Sequence, residues 1–74
     1  MIIIIKLLDN NKTLLEVDSN NTISFIKQEI ENKMHISKNT QRLIFSGYPL
    51  SGEMTLKQLN IKNNSIIHLI LQLN

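Results

Sequence analysis

Gln41-Arg42-Leu43-Ile44-Phe45-Ser46-Gly47 is the stretch that decides the fold. Leu, Ile and Phe in close succession suit a pleated surface, and Ser-Gly supplies a turn. Gln41 to Phe45 therefore reads as a strand and Ser46-Gly47 as the turn that ends it. Tyr48-Pro49-Leu50 continues as a short extended piece, because proline disfavours a helical residue before it.

Working upstream, Thr22 to about Met34 reads as the one long helix. Thr22 can cap it, and Ile23, Ile26, Ile30 and Met34 recur at spacings of three and four, which is one helical face. Lys27, Gln28, Glu31 and Asn32 fill the other face. Further upstream, Met1 to Leu8 and Lys12 to Val17 read as two strands joined by Asp9-Asn10-Asn11. Asparagine tolerates the left-handed backbone of a tight hairpin, so this is a β-hairpin. Downstream, Thr55-Leu56-Lys57-Gln58 has the capping-box pattern of a short helical turn, and Ser65 to Leu73 closes the chain as a strand. One amphipathic helix must then lie on one mixed sheet, which gives an α+β roll.

The chain has 74 residues, read as one domain over 1–74. A domain of this size buries only about 60% of the surface its unfolded chain exposes, so no deep catalytic cavity is expected. It has no cysteine, which removes disulfides and thiolate metal sites and is compatible with a reducing compartment. The net charge is +2, with acids scattered among the lysines. Phe25, Phe45 and Tyr48 are the only aromatics, so the basic stripe with interleaved aromatics of a nucleic-acid binder is missing. The apolar start is broken by Lys6 and is too short for a membrane span. Only Gly47 and Gly52 exist, so no phosphate-binding glycine loop is present. His35 and His68 lack metal-ligand spacing, and no nucleophile motif is recognisable. The chain is expected to be no enzyme and to need no cofactor or metal.

Taken as a whole, the sequence resembles ubiquitin from Met1 to Asn74 without a gap. Its most specific segment is Gln41 to Gly47, close to the family's QRLIF-x-G. Leu15-Glu16-Val17, Thr22-Ile23, Thr55-Leu56, Asn60-Ile61 and His68-Leu69 support it. The resemblance implies the β-grasp fold, with the first and last strands parallel at the sheet centre. Strand alternation then places Ile3, Ile5, Leu15, Val17, Leu43, Ile67 and Leu69 under the helix. Together with Ile23, Ile26, Ile30, Ile36, Leu50, Leu56 and Ile61 they form the expected core.

The resemblance also implies a docking patch of Leu8, Ile44 and Ile70, with Gly47 at its spacing and Lys6, Arg42 and His68 as a basic rim. Aliphatic side chains exclude water from a weak contact, while the cations steer and orient acidic or carbonyl groups opposite. The implied partners are helical ubiquitin-binding domains or proteasomal ubiquitin receptors, met in the cytoplasm and/or nucleus. Three exposed aliphatic residues would mean little by themselves; the whole set in register gives them weight. Ile2, Ile4, Leu14 and Ile66 depart from the family, which more often has polar residues at several of these outer positions. They are expected to merge with Ile44 and Ile70 into one long apolar strip, unless they reflect only an isoleucine-rich composition.

Other departures bear on the mode of action. Conjugated members of the family end in Gly-Gly, whereas this sequence reads Gln72-Leu73-Asn74, with Gln72 at the place of an arginine offered to the activating enzyme. Lys6, Lys27 and Lys33 stand at family lysine positions, but Tyr48, Asn63, Asn11 and Glu29 occupy others used for chain building. The expected role is therefore an integral ubiquitin-like domain of a longer shuttle or chaperone-cofactor protein. It would be monomeric, with weak self-association open to it. The alternatives are a modifier cut before its di-glycine and a scaffold segment that packs on its own parent chain. His35 in place of a glycine after the helix, Leu59 in place of a tyrosine and Ser37-Lys38 in place of a proline pair are expected to lower stability without changing the fold.

Overall fold

The computed structural model describes residues 1–72, so Leu73 and Asn74, the end of the tail and of the expected last strand, lie outside the described residues. Strands β1 (Ile2–Lys6) and β2 (Lys12–Glu16) precede helix α1 (Ile23–Met34). A single 3-10 turn, Lys38–Thr40, leads into β3 (Gln41–Phe45), β4 (Tyr48–Leu50) and β5 (Ile66–Leu71). The sheet order is β2-β1-β5-β3-β4. β1 and β5 are parallel neighbours at its centre, and every other pair is antiparallel. This is the β-grasp arrangement that the sequence implies.

The hairpin strands are shorter than expected. The ladder stops at Lys6↔Lys12, and the five residues between them form the loop. The Asp9 carboxylate accepts from the Asn11 backbone N–H at 3.0 Å and from its Nδ2 at 2.8 Å. Asn10 takes φ +70°. These local bonds hold Leu7 and Leu8 in the turn instead of the strand. At the other end the Met1 ammonium donates to the Val17 carbonyl and Val17 N–H to the Met1 carbonyl, each at 2.8 Å.

The Thr55–Gln58 capping box is reciprocal. Thr55 N–H donates to Gln58 Oε1 at 2.9 Å, and Gln58 N–H to Thr55 Oγ1 at 3.1 Å. It closes a single turn, with Leu59 N–H on the Thr55 carbonyl at 3.1 Å, and no helix grows from it. Thr22 caps α1 as expected, accepting from Phe25 N–H at 3.1 Å.

The core lies between α1 and the inner face of the sheet. Ile3, Ile5, Leu43, Ile67 and Leu69 come from the strands, Ile23, Ile26 and Ile30 from the helix. Ile36 departs from expectation. It is only partly buried, because the chain has already turned off the helix at His35 and meets the core from its rim. Gln41 is the buried polar residue that the sequence left unmarked, at 4% exposure. Its Nε2 donates to the carbonyls of Lys27 and Ile36 at 3.0 and 2.9 Å, which ties helix, loop and β3 together. A buried carbonyl without such a donor carries the desolvation cost of a polar group.

His35 is the left-handed cap, with φ +59° and its N–H on the Glu31 carbonyl at 2.9 Å. A side chain strains that conformation by about 1–2 kcal/mol, and the extra freedom of an unfolded glycine offsets about half of it. His35→Gly is therefore expected to raise unfolding free energy by about 0.5–1 kcal/mol, read as a shift of the denaturant midpoint at unchanged slope.

Glu31 pins the next loop. Its carboxylate accepts from Lys38 N–H at 2.8 Å and from Gln28 Nε2 at 3.4 Å. The backbone bond from Lys38 holds the carboxyl below its ordinary pKa, aided by Gln28 and the Lys38 charge and opposed by desolvation. The folded form thus binds this proton less readily than the unfolded chain. Its contribution is present in full above the ordinary glutamate value of about 4.3 and is lost as pH falls through the lower folded value. A pH titration of the Lys38 amide resonance is expected to show one acid transition below that value, and Glu31→Gln to abolish it.

Candidate functional site

The outer face of the sheet carries Lys6, Arg42, Ile44, His68 and Ile70. Ile44 stands opposite His68 and Arg42 opposite Ile70, while Lys6 stands opposite His68 on its other side. Ile44 and Ile70 are half-buried and diagonal to each other across the β3–β5 pair. Lys6 is half-buried, and Arg42 and His68 are exposed. Leu8 lies in the hairpin loop and is 82% exposed. Beside it an open apolar cleft of about 260 Å³ is lined by Leu7, Leu8, Asp9, Leu69 and Leu71. Leu71, on the strand's inner parity but 44% exposed beyond the helix, is an apolar surface residue the sequence reading did not single out.

Gly47 shapes the β3–β4 connection. Phe45↔Tyr48 leaves the two-residue loop Ser46-Gly47, with φ +52° and +83°. Both residues are left-handed, as a type I′ hairpin turn requires. An added Cβ at Gly47 would touch nothing within 4 Å, so backbone conformation alone accounts for glycine there.

Arg42 is not a free rim cation. Its Nε donates to Gln72 Oε1 at 2.8 Å, and its Nη2 reaches the same oxygen. Gln72 N–H donates to the Thr40 carbonyl at 2.7 Å, so the chain after β5 stays against β3. An arginine at position 72 would lack the acceptor that makes this contact. Next to it, Lys27, Lys38, Gln41, Arg42 and Gln72 line a shallow cleft of about 440 Å³. The loop after β4, residues 51–53, supplies no carboxylate to Lys27. Gly52 has no side chain, and Glu53 Oε1 accepts from Ser24 Oγ at 2.9 Å instead.

The second apolar surface lies on the same face and meets the patch at a single diagonal. Leu14 stands opposite Ile4, and Ile4 opposite Ile66, in one row. Leu14 is 55% and Ile66 41% exposed. Ile2 lies one step along β1, opposite Glu16. One step the other way, Lys12, Lys6 and His68 form a parallel row of basic residues. Ile44 stands opposite His68 and is therefore diagonal to both Ile66 and Ile70, so the row Leu14–Ile4–Ile66 reaches Ile70 through Ile44, while Lys12 and Lys6 lie between Leu14–Ile4 and the hairpin end of the sheet. The outer face therefore carries one apolar path, Leu14–Ile4–Ile66–Ile44–Ile70, with Lys12, Lys6 and His68 along one side of its first half.

Among the described residues, no group of three His, Cys, Asp or Glu could hold a metal ion, and no helix is long and apolar enough to cross a membrane. The family model described as "Ubiquitin family" matches residues 3–74. The chain is 32% identical over 73 residues to Ubiquitin-like protein 1 of Schizosaccharomyces pombe, covering 99% of this chain and 94% of that protein. It is 34% identical over 69 residues to NEDD8-like protein RUB3 of Arabidopsis thaliana, covering 93% and 88%. Ubiquitin-like protein 4B of Monodelphis domestica is 29% identical over 68 residues, which is 92% of this chain but 38% of that protein. With the β-grasp sheet and the Gln41–Gly47 segment, these matches place the chain in the ubiquitin family.

Proposed function

We propose that this chain is a non-enzymatic recognition module of the ubiquitin–proteasome system, working in the cytoplasm and/or nucleus. It docks a helical ubiquitin-binding domain or a proteasomal ubiquitin receptor, non-covalently, through Leu8, Ile44 and Ile70. Lys6 and His68 orient acidic or carbonyl groups of the partner, Arg42 does so with the guanidinium N–H groups that Gln72 leaves free, and Gly47 sets the turn beside them. The observation that carries the reading is the diagonal Ile44–Ile70 pair on the solvent face, flanked in register by Arg42 and His68. A patch this small buries less than a standard interface, so binding is weak and reversible.

A proton–nitrogen NMR titration tests it, with a proteasomal receptor fragment and a helical ubiquitin-binding domain as probes. Shifts centred on Leu8, Ile44, His68 and Ile70 are the expected result. Saturating probe without shifts at these residues overturns the reading.

One observation favours a second reading, a ubiquitin-like modifier whose di-glycine is not in this sequence. Relatives matched over 94% and 88% of their own length are about as long as this chain, whereas the one matched over 38% is much longer. Reading the gene beyond Asn74 distinguishes the two. A following glycine pair supports the modifier, and a continuing domain supports the integral module.

A further inference from the structure

We propose that the outer face of β2 and β1 is a self-complementary surface on which a second copy of this chain docks about a two-fold axis. The surface differs from the Leu8–Ile44–Ile70 patch, so the proposal goes beyond the docking function and does not depend on it.

The argument starts from β2. Lys12, Leu14 and Glu16 all point outward and are exposed, with the apolar residue between opposite charges. Alternate residues of a strand are about 7 Å apart, so Lys12 and Glu16 of one chain are about 14 Å apart and cannot pair with each other. Across the sheet, Lys12 stands directly opposite Lys6. Like charges so placed repel, and an acid brought over them relieves that repulsion.

A two-fold axis along the row Leu14–Ile4–Ile66, parallel to the sheet, brings an acid over Lys12, while the stem of Lys6 of each copy meets Ile2 of the other. Rotation brings each residue of the row over its own counterpart. It also exchanges the two ends of β2, so Lys12 of each copy faces Glu16 of the other, twice per dimer. The two sheets then stack with antiparallel strands about 10 Å apart, as in an aligned sandwich. The contact is isologous and closes on itself.

Pairing through the sheet edges is disfavoured by comparison. Lys33 Nζ donates to the Leu14 carbonyl at 2.7 Å on the β2 edge. The opposite edge strand, β4, has three residues and includes Pro49. Lysine and proline are both common protections of an exposed edge. The side-chain face is what remains for association.

Sedimentation equilibrium from micromolar to millimolar concentration tests the proposal. The expected dissociation constant is on the order of 0.1–1 mM, because one row is narrower than a standard interface. Lys12→Glu sets Glu against Glu16 and is expected to weaken association about tenfold, as is Glu16→Lys, which sets Lys against Lys12. The double exchange restores both pairs and is expected to return the constant to within about twofold. Net charge gives the opposite sign for the first variant. Lys12→Glu lowers it from +2 to 0, which by itself favours association. A chain that stays monomeric at millimolar concentration overturns the proposal. So does tighter association of Lys12→Glu, or a double exchange no better than the single variants. Failure to bind a ubiquitin receptor would leave it standing, because the two surfaces use different side chains.

Discussion

Ile67→Ala is expected to lower the unfolding free energy by about 3–4 kcal/mol. Ile67 is fully buried on β5 and stands opposite Ile5 on β1, where the two central strands run parallel under α1. Removing three carbons there loses their transfer free energy and leaves a cavity. Strands bonded on both sides relax little to fill it, so the cavity term stays large. A domain of 74 residues is expected to hold roughly 4–11 kcal/mol in all. The variant should therefore have a much lower denaturant midpoint, and a parent at the lower end of that range would leave it substantially unfolded at room temperature. Ile66→Ala, the next residue and 41% exposed, is the control and should cost under about 1 kcal/mol. Equal losses in urea titrations of the two variants would show that β5 does not present alternate residues to the core.

Ile44→Ala is expected to weaken binding of a helical ubiquitin-binding domain about 10–30-fold. Ile44 lies centrally in the patch, with His68 opposite it on β5 and Pro49 on β4. A central aliphatic residue excludes water from its neighbours as well as itself, and truncation of such a residue commonly costs 1.4–2 kcal/mol or about that tenfold factor and more. Leu14→Ala removes an equally aliphatic and more exposed side chain at the far end of the apolar path and should change this affinity less than about twofold. NMR titration of both variants separates the two surfaces. Equal loss in both would mean that the partner spans the whole outer face.

These predictions rest on a pattern that was legible in particular residues. Leu43 and Ile44 are adjacent and equally apolar, yet one is 1% exposed and the other half-buried on the outer face. Alternation along one strand is enough to assign them once the helix face is known, because the pleat has a period of two. The helix was legible for the same kind of reason, since Ile23, Ile26 and Ile30 are its buried residues and share one face. Gln41 was not legible. Nothing local distinguishes a glutamine that binds two carbonyls in the interior from one in solvent, because its partners, Lys27 and Ile36, belong to other elements. Gln72 was marked by its difference from the family, but its bonds to Arg42 could be seen only once β5 lay beside β3.

The strand and helix positions, the inner and outer parity of each strand and the membership of the β-grasp family were determined by the sequence alone. Each is carried by a short-range period or a contiguous motif. The grouping of the outer-face residues was decided by the tertiary structure. Lys12, Lys6 and His68 come from three strands, and only the register of β2, β1 and β5 sets them in one row. A list of outward residues has the right members and no lateral order, so it could not show that the apolar path narrows to the Ile66–Ile44 diagonal beside this row. Pairing partners far apart in the chain fix that order, and a shift of two residues in any one of them would keep every side chain on its face while changing all of its neighbours.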